Sequence, residues 1–257
     1  MTGIILCEGL TDQILLSQYF CGRFHFCFDK KRSKKSIIFD SVEESFIYSR
    51  GSNDFLYISR TGGKDNLPRA LSGIWNKIKL DAGLSFDYVA IITDHDSEEE
   101  VVSLKAKLKK ATEYYGTIQN LSDSNWQTVE IDTGFQQTKK SEFLTLFIPL
   151  DHPGALETFL LDSLNEIEEN QHIVDKSRNF VNSLVQDYDN KAAKFPPNVL
   201  SSRRMRVKAP LSVFFGVTNP EGGFRTFEEY LKEIDWSAYE NIQQGFKAFD
   251  SVLRIRR

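Results

Sequence analysis

Tyr88-Val89-Ala90-Ile91-Ile92-Thr93-Asp94-His95-Asp96-Ser97 decides how this chain is read. Its opening apolar residues follow one another without alternation, which suits a strand buried on both faces of a parallel sheet better than a half-solvated one. The run then stops at acidic residues. Ser97 can cap a following helix, and Glu98, Glu99 and Glu100 sit where carboxylates favour the positive end of the helix dipole. That helix is predicted to reach about Tyr115.

Upstream the same grammar recurs. Gly3-Ile4-Ile5-Leu6-Cys7 is a short apolar run broken by Glu8-Gly9, after which Thr11 opens a helix holding Asp12 in its first turn and Ile14, Leu15, Tyr19 and Phe20 at helical spacing. Phe55 to Ser59 reads as a further strand ending at Arg60-Thr61-Gly62-Gly63-Lys64, with an amphipathic helix from Leu67 to Leu80. Between these, residues 23 to 50 look like an insertion, with a hairpin expected from Arg23–Phe28 and Ile37–Phe39 around the basic stretch Lys30 to Lys35. Downstream, Trp126 to Ile131 and Phe143 to Ile148 alternate as a strand pair, and Pro153-Gly154 precedes a helix from Ala155 to Leu164 carrying Glu157. Residues 165 to 200 read as charged helices broken at Pro196-Pro197. Ala209 to Val217 is an apolar helix or strand ending in the loop Asn219 to Gly223, and Phe227–Ile234 and Tyr239–Ile255 read as closing helices. The expected architecture is α/β: a mainly parallel sheet with helices on both faces over residues 1–164, an inserted hairpin, and a C-terminal helical elaboration over 165–257 packed on it.

The chain has 257 residues, 40% of them hydrophobic, enough for a sizeable core. A net charge of -4 gives no global attraction to polyanions, so nucleic-acid contact would have to come from local clusters such as Lys30 to Lys35, Arg203 to Lys208 and Arg254 to Arg257. Such runs more often form solvated surface. Three cysteines without CxxC spacing are expected to be buried thiols in a reducing interior. With no export, acylation or membrane-spanning signal, a cytoplasmic location without membrane partners is expected.

In an open parallel sheet, ligands gather beyond the carboxyl ends of the strands. Glu8 and Asp12 occupy one such place. Asp94 and Asp96 occupy another, on one side of the extended segment by period-two alternation. Their charges would repel strongly in a weakly screened crevice unless a divalent cation is present, and an all-oxygen donor set suits Mg²⁺ or Mn²⁺ rather than zinc.

Leu6-Cys7-Glu8-Gly9-Leu10-Thr11-Asp12 resembles the first motif of Toprim domains, and Ile91-Ile92-Thr93-Asp94-His95-Asp96-Ser97 resembles their Asp-x-Asp motif. The aspartate four residues after the glutamate, together with Pro153 to Leu160, looks more like the Toprim branch of OLD-family nucleases than like topoisomerases or primases. The resemblance implies a metal-dependent nuclease acting on DNA or RNA, tRNA included, and a role in antiphage (antiviral) defence. By the same resemblance Glu8 and Asp12 hold one metal, Asp94 and Asp96 take part in the second, and Glu157 is an additional ligand. Lys208 is the positional match to a lysine near the scissile phosphate. A Walker phosphate loop is lacking, so an ATPase would be a separate partner; a homo-oligomer is open. Against this stand two other readings: a Toprim-like regulatory or binding subunit silent without that ATPase, and a hydrolase of small phosphate esters. The latter usually carries its Asp-x-Asp after the first strand, where this chain has Glu-Gly.

Overall fold

A computed structural model describes residues 1–34, 39–81, 83–115, 124–133, 138–192, 194–195, 200–220 and 227–253, the side chains of Arg204 and Phe227 aside. Seven strands form one sheet: β1 (Thr2–Cys7), β2 (Cys27–Phe28), β3 (Glu44–Arg50), β4 (Asp54–Arg60), β5 (Tyr88–Asp94), β6 (Gln127–Asp132) and β7 (Thr138–Ile148). Their order is β2-β3-β4-β1-β5-β7-β6. β4, β1, β5 and β7 run parallel, while β2, β3 and β6 are antiparallel additions at the two edges. This is the expected α/β fold.

The two-residue period of the strands sorts the core into two layers. Ile4, Leu6, Val89, Ile91, Phe143 and Phe147 face α3 (Leu67–Leu80) and α4 (Glu98–Thr112). Ile5, Cys7, Ala90, Ile92, Leu144 and Leu146 face the other layer. That layer comprises α1 (Leu10–Phe24), α5 (Leu156–Leu164), α6 (Glu168–Asp189), α7 (Arg203–Thr218), α8 (Phe227–Glu233), α9 (Glu240–Gly245) and α10 (Asp250–Leu253). A four-residue helix, α2 (Lys30–Ser33), lies beside β3 and ties to it through Ser33, whose hydroxyl accepts from the Ile47 N–H at 2.8 Å.

Several expectations are corrected. The strand anticipated at Arg23–Phe28 is mostly helix: α1 continues to Phe24 because Phe20 and Phe24 stack at 5.7 Å on one helical face while Phe20 packs edge-on to Phe249. His25 ends the helix in the left-handed region at φ 60°, leaving only Cys27–Phe28 as strand. The partner of that strand is β3; Ile37 and Ile38 lie outside the described residues and Phe39 belongs to no strand. Arg203–Lys208 forms the first turns of α7, capped by Ser202, rather than a segment ahead of a helix at Ala209. Among the described residues of 165–200, one long helix, α6, stands where several were expected. The closing segment is broken into α9, α10 and short 3-10 turns because its aromatic residues Trp236, Phe246 and Phe249 each turn inward. Cys7 is buried, but Cys21 and Cys27 are exposed, α1 and β2 presenting them away from the core. Lys35, Pro196, Pro197, the loop from Glu221 to Gly223, and Arg254 to Arg257 lie outside the described residues. Among the described residues no helix is long and apolar enough to cross a membrane.

Candidate metal centre

The parallel strands β1, β4 and β5 all end at one edge, and a cleft of about 640 Å³ opens there. It is lined by Glu8, Asp12, Asp94, Asp96, Glu157 and Lys208, every residue singled out from the sequence, together with Gly62, Gly63, Glu100 and Arg203. The sheet and two helix starts do the gathering. β1 delivers Glu8 one residue past its end, and α1 begins at once and brings Asp12 round by a turn. β5 carries Asp94 at its last position, and α5 sets Glu157 in its first turn.

Each carboxylate is held. Glu8 Oε1 accepts from the Thr93 hydroxyl and, at 3.1 Å, from the Asp94 N–H, which ties the ends of β1 and β5 together through a side chain. Asp12 Oδ2 accepts from the Gly9 N–H at 2.9 Å, and Asp94 Oδ1 from the Leu156 N–H at 2.9 Å. Asp96 meets cations instead: Lys64 Nζ at Oδ2 and Arg203 Nη1 at Oδ1, the latter 3.0 Å. Glu157, only 5% exposed, pairs with Lys208 Nζ.

Burial pushes the Asp12 carboxyl from 3.8 up to about 7, with the charges of Glu8 and Glu157 adding to the rise and the Gly9 N–H opposing it. Asp94 is raised well above the usual carboxylate range by burial first, then by Asp12 and Glu8. Asp96 goes the other way. Burial would raise it, but the Lys64 ammonium, through its hydrogen bond and its charge, and Arg203 hold it low. The Cys7 thiol just beneath is pushed up by burial and by Asp12 and Glu8.

Among the described residues the lining holds six carboxylates, Glu8, Asp12, Asp94, Asp96, Glu100 and Glu157, against two cations, Arg203 and Lys208. That surplus of hard oxygen donors, two of them biased toward the neutral acid by burial and by their neighbours' charge, is the donor chemistry that suits a divalent cation. Among the described residues no three acidic, histidine or cysteine side chains are yet gathered into a ready ligand set. The physical reason is visible: lysine, arginine and backbone N–H groups each hold a carboxylate separately.

His95 stands apart from the cleft, its ring nitrogens on the Pro149 carbonyl (3.0 Å) and Glu98 (3.1 Å). Sequence reasoning missed three contributors. Thr93 reads as the step from the strand into the Asp-x-Asp motif, Arg203 as one member of a basic run, and Lys64 as the tail of a glycine turn. The last did leave a signal, since a lysine directly after Gly-Gly at a parallel strand's carboxyl end is well placed to reach the neighbouring strand ends.

A family model described as "Protein of unknown function (DUF3226)" matches residues 2–249. No curated protein matches the chain. Among solved structures, the crystal structure of a hypothetical protein from Pyrococcus horikoshii OT3 is 16% identical and aligns with a TM-score of 0.51 over 98% of this chain and 97% of that one, a likeness of fold.

Proposed function

Because the chain belongs to the DUF3226 family, whose description names no activity, the chemistry of the cleft has to carry the assignment, and we infer that the protein is a Mg²⁺- or Mn²⁺-dependent nuclease hydrolysing phosphodiester bonds of DNA or RNA. The observation behind this reading is the convergence of Glu8, Asp12, Asp94, Asp96 and Glu157 with Lys208 in one cleft beyond the parallel strand ends. The resemblance of Glu8–Asp12 and Asp94–Asp96 to Toprim motifs supports the same chemistry.

Glu8 and Asp12 would hold one cation, Asp94 and Asp96 would take part in holding a second, and Glu157 would be an additional ligand. Bound there, the metal supplies Lewis-acid stabilisation of charge building on the phosphate. The chain's own residues do the rest. Thr93 and the Asp94 N–H fix the Glu8 carboxylate so that it needs no reorientation. Burial first and the neighbouring carboxylates next favour the neutral acid at Asp12 and Asp94, so a cation held there would compete with protons and bind more weakly in acid. Lys208, on the exposed side of Glu157, offers an ammonium to a phosphate oxygen. Arg203 at the start of α7 adds a second cation to the rim. An effector role in antiphage defence, working beside a separate ATPase, follows only from the family resemblance and is carried as part of the proposal.

The test is direct. Purified protein with Mn²⁺ should nick or cut at least one of plasmid, single-stranded DNA, total RNA or tRNA, and a chelator should stop it. Asp94→Ala and Glu8→Ala should each lower cleavage at least about a hundredfold, an effect of the size lost with a directly acting group, with the native circular-dichroism spectrum kept at the assay temperature. Cleavage retained in both variants would remove the assignment. The regulatory reading has one observation in its favour, that Lys64, Arg203 and Lys208 already occupy two of the carboxylates. It predicts Mn²⁺ binding by calorimetry without cleavage until an ATPase is added.

A further inference from the structure

The turn after β4, from the strand on the far side of β1, brings Lys64 against Asp96 at the border of the acidic cleft. Gly62 and Gly63 adopt φ of +74° and +134°, the Gly63 N–H donates to the Glu8 carbonyl at 3.0 Å, and the Thr61 N–H donates to the Cys7 carbonyl at 3.0 Å. The turn is thereby riveted to the end of β1. From it the Lys64 ammonium donates to Asp96 Oδ2 and, at 3.1 Å, to the Asp94 carbonyl, and it stands 3.6 Å from Glu100 Oε2.

Two cations share Asp96, and their exposure ranks them. The Arg203 side chain is 51% exposed and the Lys64 side chain 18%. A half-solvated ion pair contributes little, whereas a shielded ammonium with an added carbonyl hydrogen bond contributes more. Lys64 is therefore the stronger hold on the Asp96 carboxylate. An ammonium and a divalent cation make the same demand on that oxygen, so the two compete.

We propose that Lys64 is a resident counter-cation of the Asp-x-Asp motif: it keeps Asp96 compensated and in place while the cleft is without metal, and divalent cation binding displaces it from that carboxylate. The inference rests on the metal reading of the cleft given above and adds a positioning residue to it.

Calorimetric titration of Mn²⁺ into the full chain, without nucleic acid, separates this from a plain structural role. Lys64→Met should tighten Mn²⁺ binding about tenfold, and Lys64→Arg should stay within about twofold of the parent, since it restores a competing cation. In chelator, Lys64→Met should melt below the parent; at saturating Mn²⁺ the gap should close. Unchanged or weaker Mn²⁺ binding by Lys64→Met would overturn the inference, because a lysine that merely shapes Asp96 for the metal gives that sign. A melting gap that persists in Mn²⁺ would overturn it too. Should Lys64→Met not fold, Lys64→Gln keeps hydrogen-bond donors without the charge and is expected to shift Mn²⁺ affinity in the same direction. If the parent itself takes up no Mn²⁺, the metal reading falls; if it does and the variants match it, only the role of Lys64 falls.

Discussion

Asp12 is the residue on which the balance of the cleft is most exposed to measurement. It is 8% accessible, faces other carboxylates, and has its pKa raised from 3.8 to about 7 by burial, Glu8 and Glu157. Between those two values the folded chain retains a proton that the unfolded chain has released, so in metal-free protein Asp12 lowers stability progressively as pH rises from about 4 to about 7. Asp12→Asn keeps an acceptor for the Gly9 N–H and removes the charge. In chelator it should equal the parent near pH 4 and melt higher near pH 7, while in Mn²⁺ the order at pH 7 should reverse. Parallel melting profiles across that window would show that the crowding does not reach Asp12. Thr93 gives a second handle. Thr93→Val keeps the shape but leaves Glu8 without its hydroxyl donor, and should cost about 1–2 kcal/mol in urea unfolding and weaken Mn²⁺ binding.

At the scale of elements, the turn from β4 into α3 shows how backbone freedom serves the site. Gly62 has φ +74°, and a Cβ there would lie 2.2 Å from Glu43 Oε1. The Glu43 side chain is 56% exposed and can swing aside, so conformation rather than collision sets the penalty. Gly62→Ala should therefore destabilise by about 1–2 kcal/mol, and adding Glu43→Ala should not restore it. A full rescue by the second substitution would assign the effect to the clash. The helix starts were legible in the sequence because their signals are local: Ser97 caps α4 with its hydroxyl accepting from the Glu100 N–H, as the Ser-Glu-Glu-Glu run implied. The end of α1 was not, because alternating apolar residues at 23–28 satisfy a strand and a helix equally until Phe249 and Phe246 are present to receive Phe20 and Tyr19.

Across the whole molecule, the layer holding α1 is completed by the C-terminal third of the chain. Phe249 is fully buried, edge-on to Phe20 at 5.0 Å and to Trp126 at 5.5 Å, and the Trp126 indole N–H donates to the Ala248 carbonyl. Phe249→Ala should cost about 3–5 kcal/mol, and parent and variant alike should unfold in one transition by fluorescence and by circular dichroism. Separate transitions would mean that residues 165–253 fold as their own unit. By itself the sequence determined the strand–helix alternation, the parallel sheet and the two acidic motifs, since buried strands and capped helices write their signals in residues adjacent along the chain. Only the tertiary structure decided that Glu157 and Lys208 meet in the cleft, that Thr93 grips Glu8, and that Lys64 and Arg203 neutralise Asp96. Those pairings join positions 32 to 107 residues apart, and an electrostatic partner that distant is chosen by where the sheet edge and α7 come to rest, which no local pattern encodes.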